Sequence, residues 1–176
     1  MSLQQLSAWS EGGRSGCEYP IPSSSILAND PQKVVILQCD ASGPDAFGYI
    51  WGFLDEVDPL YYSAQWLPEE APLCDSSSHF AELRALAHFI STTQLTDKVL
   101  FWVSDSQSAV YSVNNGSSHE AESLHLLSSL LSTCDILHIY ILVIWVPRDS
   151  NILPDCLSHL VFTLHRAELD GRTSNL

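Results

Sequence analysis

The sequence is poor in positive charge. Seven Lys and Arg stand against 21 Asp and Glu in 176 residues, a formal net charge of −14. Affinity for a phosphate backbone comes mainly from Lys and Arg, so this balance is awkward for any nucleic-acid binder and must be explained by any function of that kind. Long apolar runs are also lacking: the longest, ILHIYILVIWV from Ile136 to Val146, is about half of what a membrane-spanning helix needs. The opening MSLQQLSAWSEGG has neither a basic start nor an apolar core, so no secretory signal is expected. The cysteines, Cys17, Cys39, Cys74, Cys134 and Cys156, are odd in number and scattered, which argues against a disulfide framework and for a reduced intracellular compartment, cytoplasm or nucleus. Cys134 with His138, and Cys156 with His159, have no second half-site at ligand spacing, so zinc is not expected. No internal repeat appears.

What is present is a folding chain. Hydrophobic residues make up 45% and charged residues 16%, a composition that argues against disorder for the bulk of the sequence. Residues 1–31 mix Ser, Gly, Pro and polar residues without periodicity and read as an extended arm or linker. One domain is expected over 32–168, with a flexible tail at 169–176. VVILQC is a β-branched run suited to a buried strand; AFGYIWGFL follows a turn as the second arm of a hairpin, and LYYSAQWL makes a third strand. Phe80, Leu83, Leu86, Ala87 and Ile90 then recur at helical spacing, with a serine placed to cap the first turn. KVLFWVSD is a buried strand, SQSAVYSVNNG a short helix stopped at Asn-Gly, HEAESLHLLSSLLSTC an amphipathic helix, and HIYILVIWV a strand. A last helix is expected from Pro154, where a first helical turn tolerates the missing N–H. The order β-β-β-α-β-α-α-β-α predicts an α/β fold, a mixed five-stranded sheet covered by helices. Trp51, Trp102 and Trp145 fall in strand patterns and are expected in the core rather than as base-stacking platforms.

The acids carry the chemistry. Asp40 closes the first strand, Asp105 closes the fourth, Glu82 lies in the first turns of the long helix, and Asp155 lies at the start of the last helix. Each alone has an ordinary explanation as a turn, cap or helix-start carboxylate, and Asp45, Asp55 and Asp149 are assigned to turns. If the first and fourth strands are parallel neighbours, however, Asp40 and Asp105 meet at one sheet edge, where Glu82 and Asp155 can close a ring. Four convergent carboxylates repel unless protonated or neutralised, and hard divalent cations are the usual resolution. Two Mg²⁺ ions, with Mn²⁺ as a substitute, suit in-line phosphodiester cleavage.

The segments CDAS, SHFAELRAL, FWVSDSQSAV and VPRDSNILPDCLSH resemble, in order and spacing, the motifs of ribonuclease H domains of retroelement polyproteins. The likeness is closest to gypsy-like and tyrosine-recombinase retrotransposons, whose last motif reads roughly Asn-x-x-Ala-Asp-x-Leu-Ser-Arg, and it spans about residues 33–168. The resemblance implies a ribonuclease H-like fold with three antiparallel strands followed by parallel ones and helices on both faces. It implies a metal-binding and catalytic tetrad of Asp40, Glu82, Asp105 and Asp155, with Asn151 matching the family's Asn, and Ser42 and Asn151 contacting substrate. The implied partner is an RNA–DNA hybrid, with an adjoining reverse transcriptase domain in the same polyprotein. Departures are plain: Pro154 stands in place of Ala, His159 in place of Arg, and Ile152 in place of an acid. VPRDSN has no counterpart of the catalytic-loop histidine of some relatives, and NNGSS leads straight into HEAESLHLL without the basic protrusion that grips hybrid duplex. Two other readings stay open. A different nuclease or transposase of the superfamily is disfavoured by acid order, because an exonuclease would carry an acid at Ser42 and an integrase-like enzyme would place a glutamate last, at Asp155. A non-catalytic scaffold or binding module is favoured by the charge.

Overall fold

The computed structural model describes residues 30–55, 58–93 and 95–159; all but the last two residues of the arm expected over 1–31, the tail expected at 169–176 and the part of the expected last helix past 159 lie outside them. The strands are β1 (Val34–Ser42), β2 (Ala46–Phe53), β3 (Leu60–Gln65), β4 (Lys98–Ser104) and β5 (Ile139–Trp145), in the spatial order β3-β2-β1-β4-β5. β1–β2 and β2–β3 are antiparallel, whereas β1–β4 and β4–β5 are parallel. The helices are α1 (Ala71–Ser76), α2 (Ser78–Thr93), α3 (Gln107–Asn115), α4 (Ala121–Leu137) and α5 (152–159), with short 3-10 turns at Pro31–Lys33 and Arg148–Ser150. The mixed sheet forms as expected because the parallel pairs require crossovers, and α2 and the α3–α4 pair supply them.

Period-two alternation in β1 sends Val35, Leu37 and Cys39 to one face. There they join a core with Leu83, Leu86, Phe89 and Ile90 of α2 and Leu127, Leu130 and Cys134 of α4. Val34 faces the other way and packs with Val99 and Phe101, flanked by Leu54, Leu142 and Ile144. α5 lies on that second face. It comes so close to β2 that a Cβ on Gly48 would stand 2.5 Å from Leu157 Cβ and 2.8 Å from the Ser158 backbone N, and the Ser63 hydroxyl donates to the Leu157 carbonyl at 2.6 Å. Helices therefore cover both faces. Among the described residues no helix is long and apolar enough to cross a membrane.

Local signals account for the boundaries. The Ser77 hydroxyl accepts from the Phe80 N–H at 3.1 Å and caps α2, the Ser106 hydroxyl caps α3, and Gly116, left-handed at φ 60°, ends α3. α1, six residues beginning Ala-Pro, has no periodicity to announce it. β3 stops at Gln65, short of the expected Leu67, because Trp66 folds back: its indole N–H donates to the Gly43 carbonyl at 2.9 Å, and its ring stacks on Phe47 at 4.3 Å. α5 begins two residues before Pro154, which still lies in the first turn.

Among the tryptophans, Trp102 is fully buried and Trp51 half-buried. Trp145 corrects the expectation: it is 37% exposed, since β5 is an edge strand and its last residue has no further strand beside it. Its indole N–H donates to the Asp105 carbonyl at 3.0 Å.

Candidate active site

The parallel β1–β4 ladder pairs Val34 with Val99 and runs out at Gln38 and Val103. β1 does not end there, because its antiparallel ladder with β2 continues to Ser42 opposite Ala46. Asp40 thus lies inside a strand rather than closing it, yet just past the last parallel rung. Asp105 follows the end of β4. Glu82 occupies the buried stripe of α2, one turn before Leu86 and two before Phe89, so the helix delivers a carboxylate where its neighbours deliver core side chains.

Asp40, Glu82 and Asp105 each offer an oxygen, and the three oxygens lie within 4.8 Å of one another. Glu82 is 4% exposed and Asp40 5%. Glu82 accepts from the Ala41 N–H at 3.2 Å and from the Ser104 hydroxyl at 3.3 Å; Ser104 in turn accepts from the Ser106 N–H. Burial first, and then the Asp40 and Asp105 charges, push the Glu82 carboxyl well above its usual range against the opposing hydrogen bonds from Ala41 and Ser104. Asp40 is raised by burial and by Asp105 and Asp155, while a 2.6 Å hydrogen bond from the Ser158 hydroxyl and the Arg148 charge pull the other way.

Asp155 and the two expected substrate contacts stand differently. Asp155 lies outside the three-oxygen group, although its charge acts on Asp40. Its Oδ1 takes the Arg148 guanidinium at 3.2 Å, and His159 Nε2 is 3.9 Å away. Asn151 is fully buried: its amide N–H donates to the Cys39 carbonyl at 3.1 Å and lies 3.5 Å from Asp105 Oδ1, and its own Oδ1 has no partner. This places Asn151 as a brace between β1 and Asp105. Ser42 Oγ lies 3.2 Å from His159 Nδ1 and so joins β1 to α5.

Three contributors escaped the sequence reading. Ser158 falls three residues after Asp155, on the same helix face, and that spacing was a usable signal. Ser104 immediately precedes Asp105. Arg148 is the sole Lys or Arg between Lys98 and Arg166. Neither of the Cys/His pairs gathers a third ligand; the acid trio is the one such group among the described residues.

The donor set fits a hard divalent cation. It is all oxygen, two of its carboxyls are held above their usual range by burial first and then by neighbouring acid charges, and an unpartnered amide oxygen is buried beside them.

Among solved structures, the chain is similar to the N-terminal RNase H domain of Rv2228c from Mycobacterium tuberculosis, determined as a fusion with maltose-binding protein. The TM-score is 0.52 at 17% identity, covering 70% of this chain and 95% of that one. LC11-RNase H1 in complex with an RNA/DNA hybrid gives a TM-score of 0.51 at 17% identity, over 70% and 92% of the two chains. The fold is ribonuclease H-like. A foamy viral protease-reverse transcriptase in complex with an RNA/DNA hybrid is also similar, with a TM-score of 0.53 at 12% identity over 84% of this chain and 22% of that one. No family model matches the sequence, and no curated protein does. At these identities the likeness concerns the ribonuclease H-like fold alone, and the acids at the end of β1 and β4 have to speak for the chemistry.

Proposed function

We propose that this protein is a metal-dependent endoribonuclease that hydrolyses the RNA strand of RNA–DNA hybrids. The observation that carries the reading is the convergence of Asp40, Glu82 and Asp105 within 4.8 Å where the parallel β1–β4 ladder runs out, on a ribonuclease H-like sheet. A structural role gives no reason to hold three repelling acids together. Two Mg²⁺ ions bound there would supply an activated water and a charge clamp on the leaving oxygen of a phosphodiester. The chain's own residues hold the ligand oxygens in place: Ser158 orients Asp40, Ala41 and Ser104 orient Glu82, and Asn151 braces Asp105. Asp155 completes the proposed tetrad from α5, and Ser42, at the open end of β1, is the proposed substrate contact. Minor-groove contacts to ribose 2′-hydroxyls would select the RNA strand.

The likeness to a protease-reverse transcriptase supports the view that the domain works beside a polymerase in a retroelement polyprotein. A basic neighbour would there supply the phosphate grip that a charge of −14 denies it. That same charge favours the second reading, a non-catalytic binding module of the same fold.

The test is a doubly labelled RNA–DNA hybrid with Mg²⁺. The RNA strand should be cut, single-stranded RNA and duplex DNA should remain largely intact, and Asp40→Asn should remove the activity. Equal cutting of duplex DNA would assign the site to another nuclease class, and no cutting with a fused basic domain present would favour the binding module.

A further inference from the structure

The acid cluster has a cationic side chain beside it. Arg148 sits on the 3-10 turn after β5, with its side chain 75% exposed and Nη2 3.2 Å from Asp155 Oδ1. The carboxylates of Asp155 first, and then of Asp40 and Asp105, favour its charged form. His159 Nε2 stands 3.9 Å from the same Asp155 oxygen, and the other Lys and Arg among the described residues are engaged elsewhere. Lys33 pairs with Asp30 and Lys98 donates to the Gln32 carbonyl, both at the opposite ends of β1 and β4, roughly 20 Å away along the strands. Arg84 is paired with Glu70.

We propose that Arg148 is an exchangeable counter-ion of the site: it holds Asp155 while no metal is bound, and it turns its guanidinium to a phosphate of the nucleic acid when Asp155 serves the metal. The inference rests on the reading given under Proposed function and adds a residue that reading does not use. The geometry suits exchange. The contact is single, not a two-pronged clamp, and an exposed pair of this kind is weak. A divalent ion offers Asp155 twice the charge. The freed guanidinium, planar and rich in donors, matches phosphate oxygens, and it stands on a short turn at the mouth of a site whose other charges repel a polyanion.

This arrangement has a signature that a structural role lacks, because the same side chain opposes metal and favours substrate. The experiment uses the full chain, unmutated and as Arg148→Ala and Arg148→Lys. Mn²⁺ is titrated by thermal unfolding, and a short RNA–DNA hybrid is titrated by fluorescence anisotropy in Ca²⁺ over a range of KCl. Arg148→Ala should reach half-response at roughly three- to tenfold lower Mn²⁺, from the loss of one opposing charge nearby. It should also bind the hybrid more weakly, with the slope of log affinity against log salt reduced by about one. Arg148→Lys should keep the Mn²⁺ midpoint and bind the hybrid with intermediate affinity. An unchanged or higher Mn²⁺ midpoint in Arg148→Ala, while the unmutated protein responds to Mn²⁺, overturns the exchange and leaves the metal site standing. An unmutated protein indifferent to Mn²⁺ removes the metal site itself and the exchange with it.

Discussion

Asp40 and Asp105 each stand two residues past Gln38 and Val103, the last rung of the parallel β1–β4 ladder. Parallel strands in register, one carrying its acid inside β1 and the other in the bend that directly follows β4, bring the two carboxylates to the same sheet edge at the same offset. The position is also where the backbones of β1 and β4 stop pairing with each other, and the Cys39 carbonyl there takes the Asn151 amide instead. Glu82 is added by a helix that crosses the same core, and the Ala41 N–H between Asp40 and Ser42 ties it to β1.

The seat of α5 gives a structural prediction. Gly48 pairs with Asp40 across β1–β2, and a methyl group there would collide with the backbone of Leu157 and Ser158 at 2.8 Å. Backbone cannot swing aside as a side-chain tip can, so Gly48→Ala should push α5 off the sheet. It should lose the Ser158–Asp40 hydrogen bond and cost about 1–3 kcal/mol, the usual range for overpacking. Denaturant unfolding checks the cost, and Ser158→Ala, which removes the bond without the collision, should cost less.

The raised carboxyls give a pH prediction. A carboxyl whose folded pKa lies above its unfolded value contributes nothing below the unfolded value, and it destabilises progressively as pH rises through the interval up to the folded value. For Asp40 and Glu82 that interval opens at ordinary values of 3.8 and 4.5 and extends upward, by burial first and by their neighbours' charges after it. Metal-free protein should therefore lose stability relative to Asp105→Asn as pH is raised from about 4. The variant, with one repelling charge removed, should be more stable at pH 7 by about 1 kcal/mol. Melting temperatures of the two proteins in EDTA across pH 4–8 check the divergence. Parallel curves would mean that Asp105 does not bear on the other two acids.

Much of this was legible in the sequence because the signals were local. Alternation in VVILQC, helical spacing from Phe80 to Ile90, and a capping serine each report which way a residue faces, and facing inward is enough to predict the strands, α2 and the acids at their ends. What escaped depends on pairings between distant segments. Nothing near Gly48 announces that Leu157 will lie against it. Asn151 reads through the resemblance as a substrate contact, and its bracing role shows only when the Cys39 carbonyl is seen beneath its amide. Trp145 has a buried-strand pattern, and only the position of β5 at the sheet edge exposes it. Asp155 illustrates the limit most clearly: the resemblance marks it as a fourth ligand, while in the fold it lies outside the three-oxygen group and takes Arg148.

Charge sets the expected response to salt. With −14 overall and Arg148 as the one Lys or Arg described at the site, the domain has little attraction for a polyanion that salt could screen, and repulsion over a Debye length of about 8 Å is itself reduced by salt. At fixed Mg²⁺, hybrid cleavage by the isolated chain should vary with KCl with a log–log slope between 0 and about −1, where a basic nuclease making many phosphate contacts falls far more steeply. A fused basic domain should raise activity at low substrate and restore a steep salt dependence. Cleavage against KCl, with and without the fusion, checks both statements. A steep fall for the isolated chain would reveal a concentrated basic face outside the residues described.

If Asp40, Glu82 and Asp105 form a divalent-metal centre, an anomalous difference map from crystals soaked in Mn²⁺ reads it directly. A peak bounded by oxygens of those three residues is expected, absent in Asp105→Asn crystals soaked in parallel, with a second peak reaching Asp155 as the Arg148 contact opens. A map with no peak at the trio, or with Mn²⁺ bound only at surface carboxylates elsewhere, would contradict the metal centre.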